Sequence, residues 1–242
     1  MESEKYKHIQ LGKGDVGRYV LLPGDPFRTD LIARYFDEPQ LVAHNREHKT
    51  WIGKLDGVPV AVTSTGMGGP SAAIAVEELI RCGADTFIRV GTAGPVRCPE
   101  DCDRYDGVIV TGSVRDEGTT VQYVPIEYPA IANRHVVEAL VQAAARKGLH
   151  YAEGISQSKD SFYGELDPAC SPEQARLLQR WEAWQKSGVM CSEMECAALF
   201  VVAALRGCRA GAIMNWGDMD KTIQTACDAI RLLIAAADQA NG

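Results

Sequence analysis

Short apolar runs at 19–22, 58–64, 86–90, 108–113, 151–156 and 208–214 alternate along the chain with segments of helical periodicity, and this alternation leaves few folds open. Several of the runs lack a polar face, as strands buried on both sides do. The clearest helix is 193–206, where Met194, Ala197, Ala198, Val201, Val202 and Leu205 follow the i, i+3, i+4 pattern. Segments 70–82, 134–147, 173–187 and 222–238 are further candidates. The pattern predicts an α/β fold with a mixed, largely parallel central sheet and helices on both faces. No Pro/Gly/Ser linker, charge block or internal repeat divides the chain, so residues 1–242 are expected to form one domain.

Ligands of such sheets sit beyond the carboxyl ends of strands. Arg89 falls there: in Phe87-Ile88-Arg89-Val90-Gly91-Thr92-Ala93-Gly94 an apolar strand breaks into a glycine turn with a cation at its end. Gly24-Asp25-Pro26-Phe27-Arg28 follows the run 19–22 and puts a second arginine on the first turn of a helix opened by Pro26. Two strand-end arginines from distant segments predict one shared pocket for a small-molecule phosphate. Each arginine alone reads better as a surface ion pair; together they reverse that reading.

The net charge of −7 argues against a nucleic-acid groove or a polybasic membrane surface, both of which need clustered Lys and Arg. Met1 to Lys7 lacks the apolar core of a signal peptide, and the longest apolar run, Cys196 to Leu205, is too short to span a bilayer. A cytoplasmic protein is expected. Its eight cysteines (82, 98, 102, 170, 191, 196, 208 and 227) are then expected as free thiols.

Three patterns mislead. Gly12-Lys13-Gly14-Asp15-Val16-Gly17 fits GxGxxG, yet it precedes a strand and opens no helix, the reverse of a dinucleotide fingerprint. His44-Asn45-Arg46-Glu47-His48 matches a zinc-peptidase spacing, but its composition is strand-like, with His44 and Arg46 on one face and Glu47 on the other. Cys98 and Cys102 flank Pro99-Glu100-Asp101 with no histidine nearby, a poor metal site.

Four segments in order, Gly24 to Arg28, Ser64-Thr65-Gly66-Met67-Gly68-Gly69-Pro70-Ser71, Arg89 to Gly94, and Ser192-Glu193-Met194-Glu195, resemble the nucleoside phosphorylase family and its uridine phosphorylase branch. The resemblance runs from about His8 to Gly211. It implies phosphate binding by Gly24, Arg28, Arg89 and Thr92, with Arg46 reaching in from a neighbouring subunit. It implies that Met194 and Glu195 hold the ribose, with Glu193 on the same wall, and that His8 crosses a dimer interface to the 5′-hydroxyl. Phe162, Glu165, Gly94 and Asp218 would line the base. Homodimers assembled into a homohexamer are implied, as is a monovalent-cation (K+) site at Glu47, Ser71 and the carbonyl of Met67. No cofactor is implied beyond phosphate as co-substrate.

The implied reaction is reversible phosphorolysis of a ribonucleoside, uridine first, giving free base and ribose 1-phosphate, with Arg89, Glu195 and Arg28 carrying the chemistry. A purine phosphorylase or a nucleoside-binding relative with lost turnover are the alternatives. A hydrolytic nucleosidase would not need Arg28, Arg46 and Arg89 together. Without the resemblance, Ser192 and Glu195 also read as a capping box for the following helix, and His8 as a solvated terminal residue.

Two positions depart from the family. Glu165, in Phe162-Tyr163-Gly164-Glu165-Leu166, stands where the branch has a glutamine. An ionised carboxylate only accepts hydrogen bonds and would repel a uracil carbonyl. Either Glu165 is protonated or displaced, or the preferred base is not uracil. Asp218, in Asn215-Trp216-Gly217-Asp218, stands near the aspartate of purine-specific members and reads either as a general acid or as a helix-proximal loop residue.

Overall fold

The computed structural model describes residues 4–97, 100 and 104–241. Cys98 and Cys102 lie outside them. The elements run β1 (Tyr19–Leu22), α1 (Pro26–Ala33), β2 (Asp37–Asn45), β3 (His48–Leu55), β4 (Val58–Thr63), α2 (Gly69–Cys82), β5 (Thr86–Thr92), β6 (Gly94–Pro95) and β7 (Gly107–Asp116). After these come β8 (Ala130–Ile131), α3 (Arg134–Arg146), β9 (Tyr151–Lys159), α4 (Phe162–Leu166), α5 (Gln174–Lys186), β10 (Cys191–Glu193), α6 (Cys196–Leu205), β11 (Arg209–Asn215) and α7 (Met219–Asn241).

The strands form one sheet in the order β2-β3-β4-β1-β5-β11-β7-β9-β10-β6, with β8 beside β7. β4, β1, β5 and β11 are mutually parallel, as are β7, β9 and β10, and the two blocks meet antiparallel at β11 and β7. Successive residues of the central strands enter opposite cores. Val20, Leu22, Phe87, Ala212 and Met214 pack with α2 and α6, while Leu21, Ile88, Val90 and Ile213 pack with α1, α3 and α7. Burial on both faces explains the absence of a polar face in these runs. By the same alternation Arg89 shares a face with Phe87, on the side of α2 and α6.

β6 begins two residues after β5 ends and pairs with β10, Gly94 opposite Ser192. The strand path that leaves β5 through β11, β7, β9 and β10 therefore returns to the end of β5. This closure brings residues far apart in sequence to the exit of β5.

The fold matches the expected class, with three local differences. The helix expected at 193–206 starts at Cys196, because β10 holds Cys191–Glu193; its residues 196–203 are all buried, so it is a core helix and not an amphipathic one. The strand expected at 151–156 runs on to Lys159. The His44–His48 segment is a hairpin: Asn45 pairs with His48, and Arg46, at φ +54°, turns with Glu47. His44 and Arg46 therefore do not share a strand face. The Gly12–Gly17 segment is a turn, with the Gly12 amide donating to Asp15 (2.8 Å) ahead of β1. Among the described residues all cysteines are free, and burial pushes the Cys82 and Cys227 thiols up to about 12. Among these residues no helix is long and apolar enough to cross a membrane.

Candidate active site

Loops after three parallel strands converge around Arg89. The Thr65 amide donates to Pro23 O (2.9 Å) and the Gly66 amide to Gly24 O (3.0 Å), which ties the turn after β4 to the turn after β1. Leu22 stands opposite Arg89 in the sheet, so both turns lie beside the guanidinium. A β-carbon on Gly24 would come 3.6 Å from Arg89 Nη2, so Gly24 and Arg89, both expected at the phosphate, are neighbours. A β-carbon on Gly91 would lie 2.8 Å from the Met214 sulfur of the adjacent strand, so a larger residue there requires the Met214 side chain to shift.

Arg89 is 5% exposed and Glu195 4%. Arg89 Nη2 donates to Glu195 Oε2 at 2.5 Å and Nη1 to Thr65 Oγ1 at 3.2 Å, while Nε is buried with no hydrogen-bond partner among the described residues. Burial opposes the Arg89 charge, yet the Glu195 carboxylate outweighs it and leaves the guanidinium pKa above its ordinary value. Burial pushes the Glu195 carboxyl up, opposed by Arg89. The second Glu195 oxygen accepts the Gly68 amide at 2.7 Å, presented by a residue at φ +89° that favours glycine.

Arg28, on the first turn of α1, is capped from behind by Asp25, whose carboxylate accepts the Phe27 amide. Its Nη1 donates to Val90 O at 3.2 Å. Burial first, then the charge of Arg89, pushes its pKa down. Through Val90 the Arg28 guanidinium is bonded to the strand end that carries Arg89, and two such planar cations suit an oxyanion. Beside them is a cleft of about 460 Å³ lined by Asp25, Phe27, Arg28, Thr92, Asn215 and Met219, among others.

Glu195 does not close a capping box. Ser192 lies in β10, and it is the Glu193 carboxylate that accepts the Glu195 and Cys196 amides (2.7 and 2.8 Å) and so caps α6. Its other oxygen accepts from the Ser156 hydroxyl (3.2 Å) and the Ser158 hydroxyl. Glu193 is thus spent on positioning the backbone of Glu195, and Met194 lies half-buried between them.

At the far end, Ser192 stands opposite both Gly94 and Gln157 in the sheet. Glu165, from α4, is neither bare nor displaced: its Oε2 pairs with Lys159 Nζ at 2.5 Å, and its Oε1 accepts Gln157 Nε2 at 2.5 Å. The Ser192 hydroxyl lies 2.7 Å from Gln157 Oε1 and 2.9 Å from Glu165 Oε2. Gln157 also donates to Asp116 Oδ2 (2.8 Å), and Asp116 pairs with Arg180. Phe162 is exposed and faces Lys159, its ring centroid 5.6 Å from Nζ.

The remaining predicted residues make no hydrogen bond to Arg28, Arg89 or Glu195 among the described residues. Asp218 is exposed and accepts the Asp220 amide at 2.9 Å, at the start of α7. Of its two readings, this geometry fills the helix-proximal one. His8 Nδ1 lies 2.6 Å from Glu78 Oε1, whose carboxylate also accepts the His8 and Ile9 amides, so His8 is anchored and not a loose terminal residue. Arg46 is exposed on the hairpin turn and makes no hydrogen bond among the described residues. Ser71 donates to Glu47 (2.8 Å) or to Thr65 O (2.5 Å), while the Met67 side chain is 85% exposed.

Sequence reasoning missed Thr65 and Gly68 as partners of the Arg89–Glu195 pair, and Gln157, Lys159 and Asp116 as partners of Glu165. Thr65 and Gly68 lay inside a segment already singled out. Gln157 and Lys159 share one strand face, a signal available had the strand been extended past 156.

Residues 18–238 match the model of the Phosphorylase superfamily. The chain is 44% identical to the uridine phosphorylase of Treponema pallidum, covering 94% of this chain and 93% of that protein. It is 47% identical to the uridine phosphorylase of Thermococcus kodakarensis over 85% of this chain and 74% of that protein. It is also 39% identical to the guanosine phosphorylase of Halorubrum lacusprofundi, over 86% and 81%. With an arginine pair and a buried carboxylate at converging strand ends, and a family match spanning nearly its whole length, the chain belongs to the phosphorylase superfamily.

Proposed function

We propose that the protein cleaves the N-glycosidic bond of uridine with inorganic phosphate, reversibly, giving uracil and ribose 1-phosphate. The observation that carries this reading is that Arg28 donates to the carbonyl of Val90, next to Arg89, while Arg89 pairs with the buried Glu195. Phosphate, with a charge of about −1.5 to −2, relieves the repulsion between the arginines and matches their planar forks. Glu195, turned inward by Glu193 and Gly68, then accepts from the 2′- and 3′-hydroxyls of the ribose. As the sugar becomes cationic at C1′, bound phosphate lies beside the charge and attacks the face opposite the base. Orientation and charge placement supply the rate, with no covalent enzyme intermediate.

Arg46, without a hydrogen bond among the described residues, reaches the phosphate of a neighbouring subunit, and His8, braced by Glu78, reaches a neighbour's 5′-hydroxyl. The assembly that this requires is a homodimer, six chains in the complete particle. Glu47, Ser71 and the Met67 carbonyl hold a monovalent cation at the same contact, and the enzyme works in nucleoside salvage in the cytoplasm.

A guanosine preference is the second reading, favoured by the carboxylate of Glu165 and by the guanosine phosphorylase among the relatives. Pairing of Glu165 with Lys159 removes its net charge and with it the objection to uracil. The test is base release from uridine, cytidine, guanosine, inosine and adenosine, each with and without phosphate. Phosphate-dependent release from uridine is expected; release without phosphate, or from guanosine alone, overturns the reading.

A further inference from the structure

Lys159 is a largely buried cation that the mechanism above leaves without a task. Its side chain is 13% exposed. An ammonium has three N–H donors. Glu165 Oε2 and Ser192 Oγ, at 2.5 and 2.8 Å, take two, and the third has no acceptor among the described residues. Taking this charge out of water and fixing four rotatable bonds is unfavourable unless the geometry is well held. The surroundings hold it well: Gln157, 1% exposed, fixes the other Glu165 oxygen and is itself fixed by Asp116. Both donors of the Gln157 amide are thereby spent. Arg180, behind Asp116, is 37% exposed and has water for its free donors, so Lys159 is the largely buried cation of the network with a donor to spare.

Its position fits a base. Ser192, which Lys159 contacts, lies opposite Gly94, two residues beyond Thr92 at the phosphate end. Phe162 presents its ring beside the ammonium.

We propose that Lys159 is the residue that recognises the base and takes up the charge of the leaving group, an inference that rests on the phosphorolytic reading above. When the C1′–N1 bond breaks, both its electrons depart with the base, while a phosphate oxygen supplies the pair for the new bond to C1′. Negative charge on a departing pyrimidine spreads onto its carbonyl oxygens. The third Lys159 N–H donates to one of these, and a free lone pair of Glu165 accepts the ring N–H between them. Lys159 keeps its proton throughout, and solvent protonates the base after release. Adenine has no carbonyl for this donor, so the same network selects against adenosine.

The test compares uridine with 5-fluorouridine, whose base carries negative charge more readily, in Lys159→Met and in Lys159→Met/Glu165→Gln. The double variant leaves no unpaired charge and guards against misfolding of the single one. The expected result is a fall in kcat/KM for uridine of about a hundredfold, an at least roughly tenfold smaller fall for 5-fluorouridine, and an unchanged KM for phosphate. A merely structural role lowers both nucleosides equally, and equal losses, or a uridine loss under about threefold, overturn the assignment. Wild-type protein that leaves uridine intact in phosphate overturns the phosphorolytic reading itself, and this proposal with it.

Discussion

At the proposed phosphate end, Arg28 donates to the carbonyl next to Arg89, and Arg89 pairs with the buried Glu195; at the proposed base end, Lys159 pairs with Glu165, with Arg180 and Asp116 paired behind them. The surplus at the first end is Arg28, a cation without an ion pair among the described residues, whereas at the other end each cation is paired. A surplus is completed only by an incoming anion, which selects a charged co-substrate. A balanced network holds its donors still for a neutral ring, which selects by shape and hydrogen bonding.

Removing Arg89 breaks this contrast most severely. Arg89→Met leaves Glu195 buried without its cation, with an expected destabilisation of about 3–5 kcal/mol and activity at background. Adding Glu195→Leu recovers stability in thermal melting and no activity; recovery of both would end the assignment of Arg89 to phosphate. Glu195→Gln is milder. It keeps an oxygen for the Gly68 amide while freeing Arg89, so kcat should fall about a hundredfold with KM for phosphate unchanged or lower, as steady-state kinetics at varied phosphate would show.

At the balanced end, Glu165→Gln should change the ratio of uridine to guanosine turnover about tenfold and leave KM for phosphate alone. If KM for phosphate moves as far as that for nucleoside, the two ends are not separate. Arg46→Ala touches neither end within its own chain; the melting temperature should stay within the small range of a surface substitution, about 0.5 kcal/mol, while KM for phosphate rises. An unaltered KM would remove the neighbouring-subunit role.

The smallest effect belongs to Glu78. Burial raises its pKa, but the hydrogen bonds from His8 and Ile9 win and bring it below the ordinary 4.5. A lowered carboxyl pKa contributes stability that is full above 4.5 and is lost as pH falls through the folded value. Glu78→Gln should cost about 1 kcal/mol at pH 7 and flatten the acid limb of the stability curve. An identical acid limb in both proteins would count against this anchor.

The same contrast explains what the sequence makes legible. Arg28, Arg89 and Gly24 lie at the ends of apolar runs beside glycine or proline, so chain-local signals mark them. Fold class is legible for a related reason: strands buried on both faces are apolar throughout. Lys159 and Gln157 follow an apolar run as ordinary polar residues, and their meaning comes from Glu165 and Ser192, the latter 35 residues from Gln157 across the sheet closure. The start of α6 misleads because Ser192 and Glu195 have the letters of a capping box, whereas the three-residue β10 places Glu193 at the helix entrance. Short strands and cross-sheet pairs leave no periodic trace.

Arg28 and Arg89, held together in the folded chain and scattered in the unfolded one, also make phosphate a partner in folding. By mass action, phosphate at a hundred times its dissociation constant adds about 2.7 kcal/mol to stability without changing any bond in the protein. Phosphate therefore bears on resistance to unfolding as well as on turnover, and the phosphate-free protein is expected to be its least durable form.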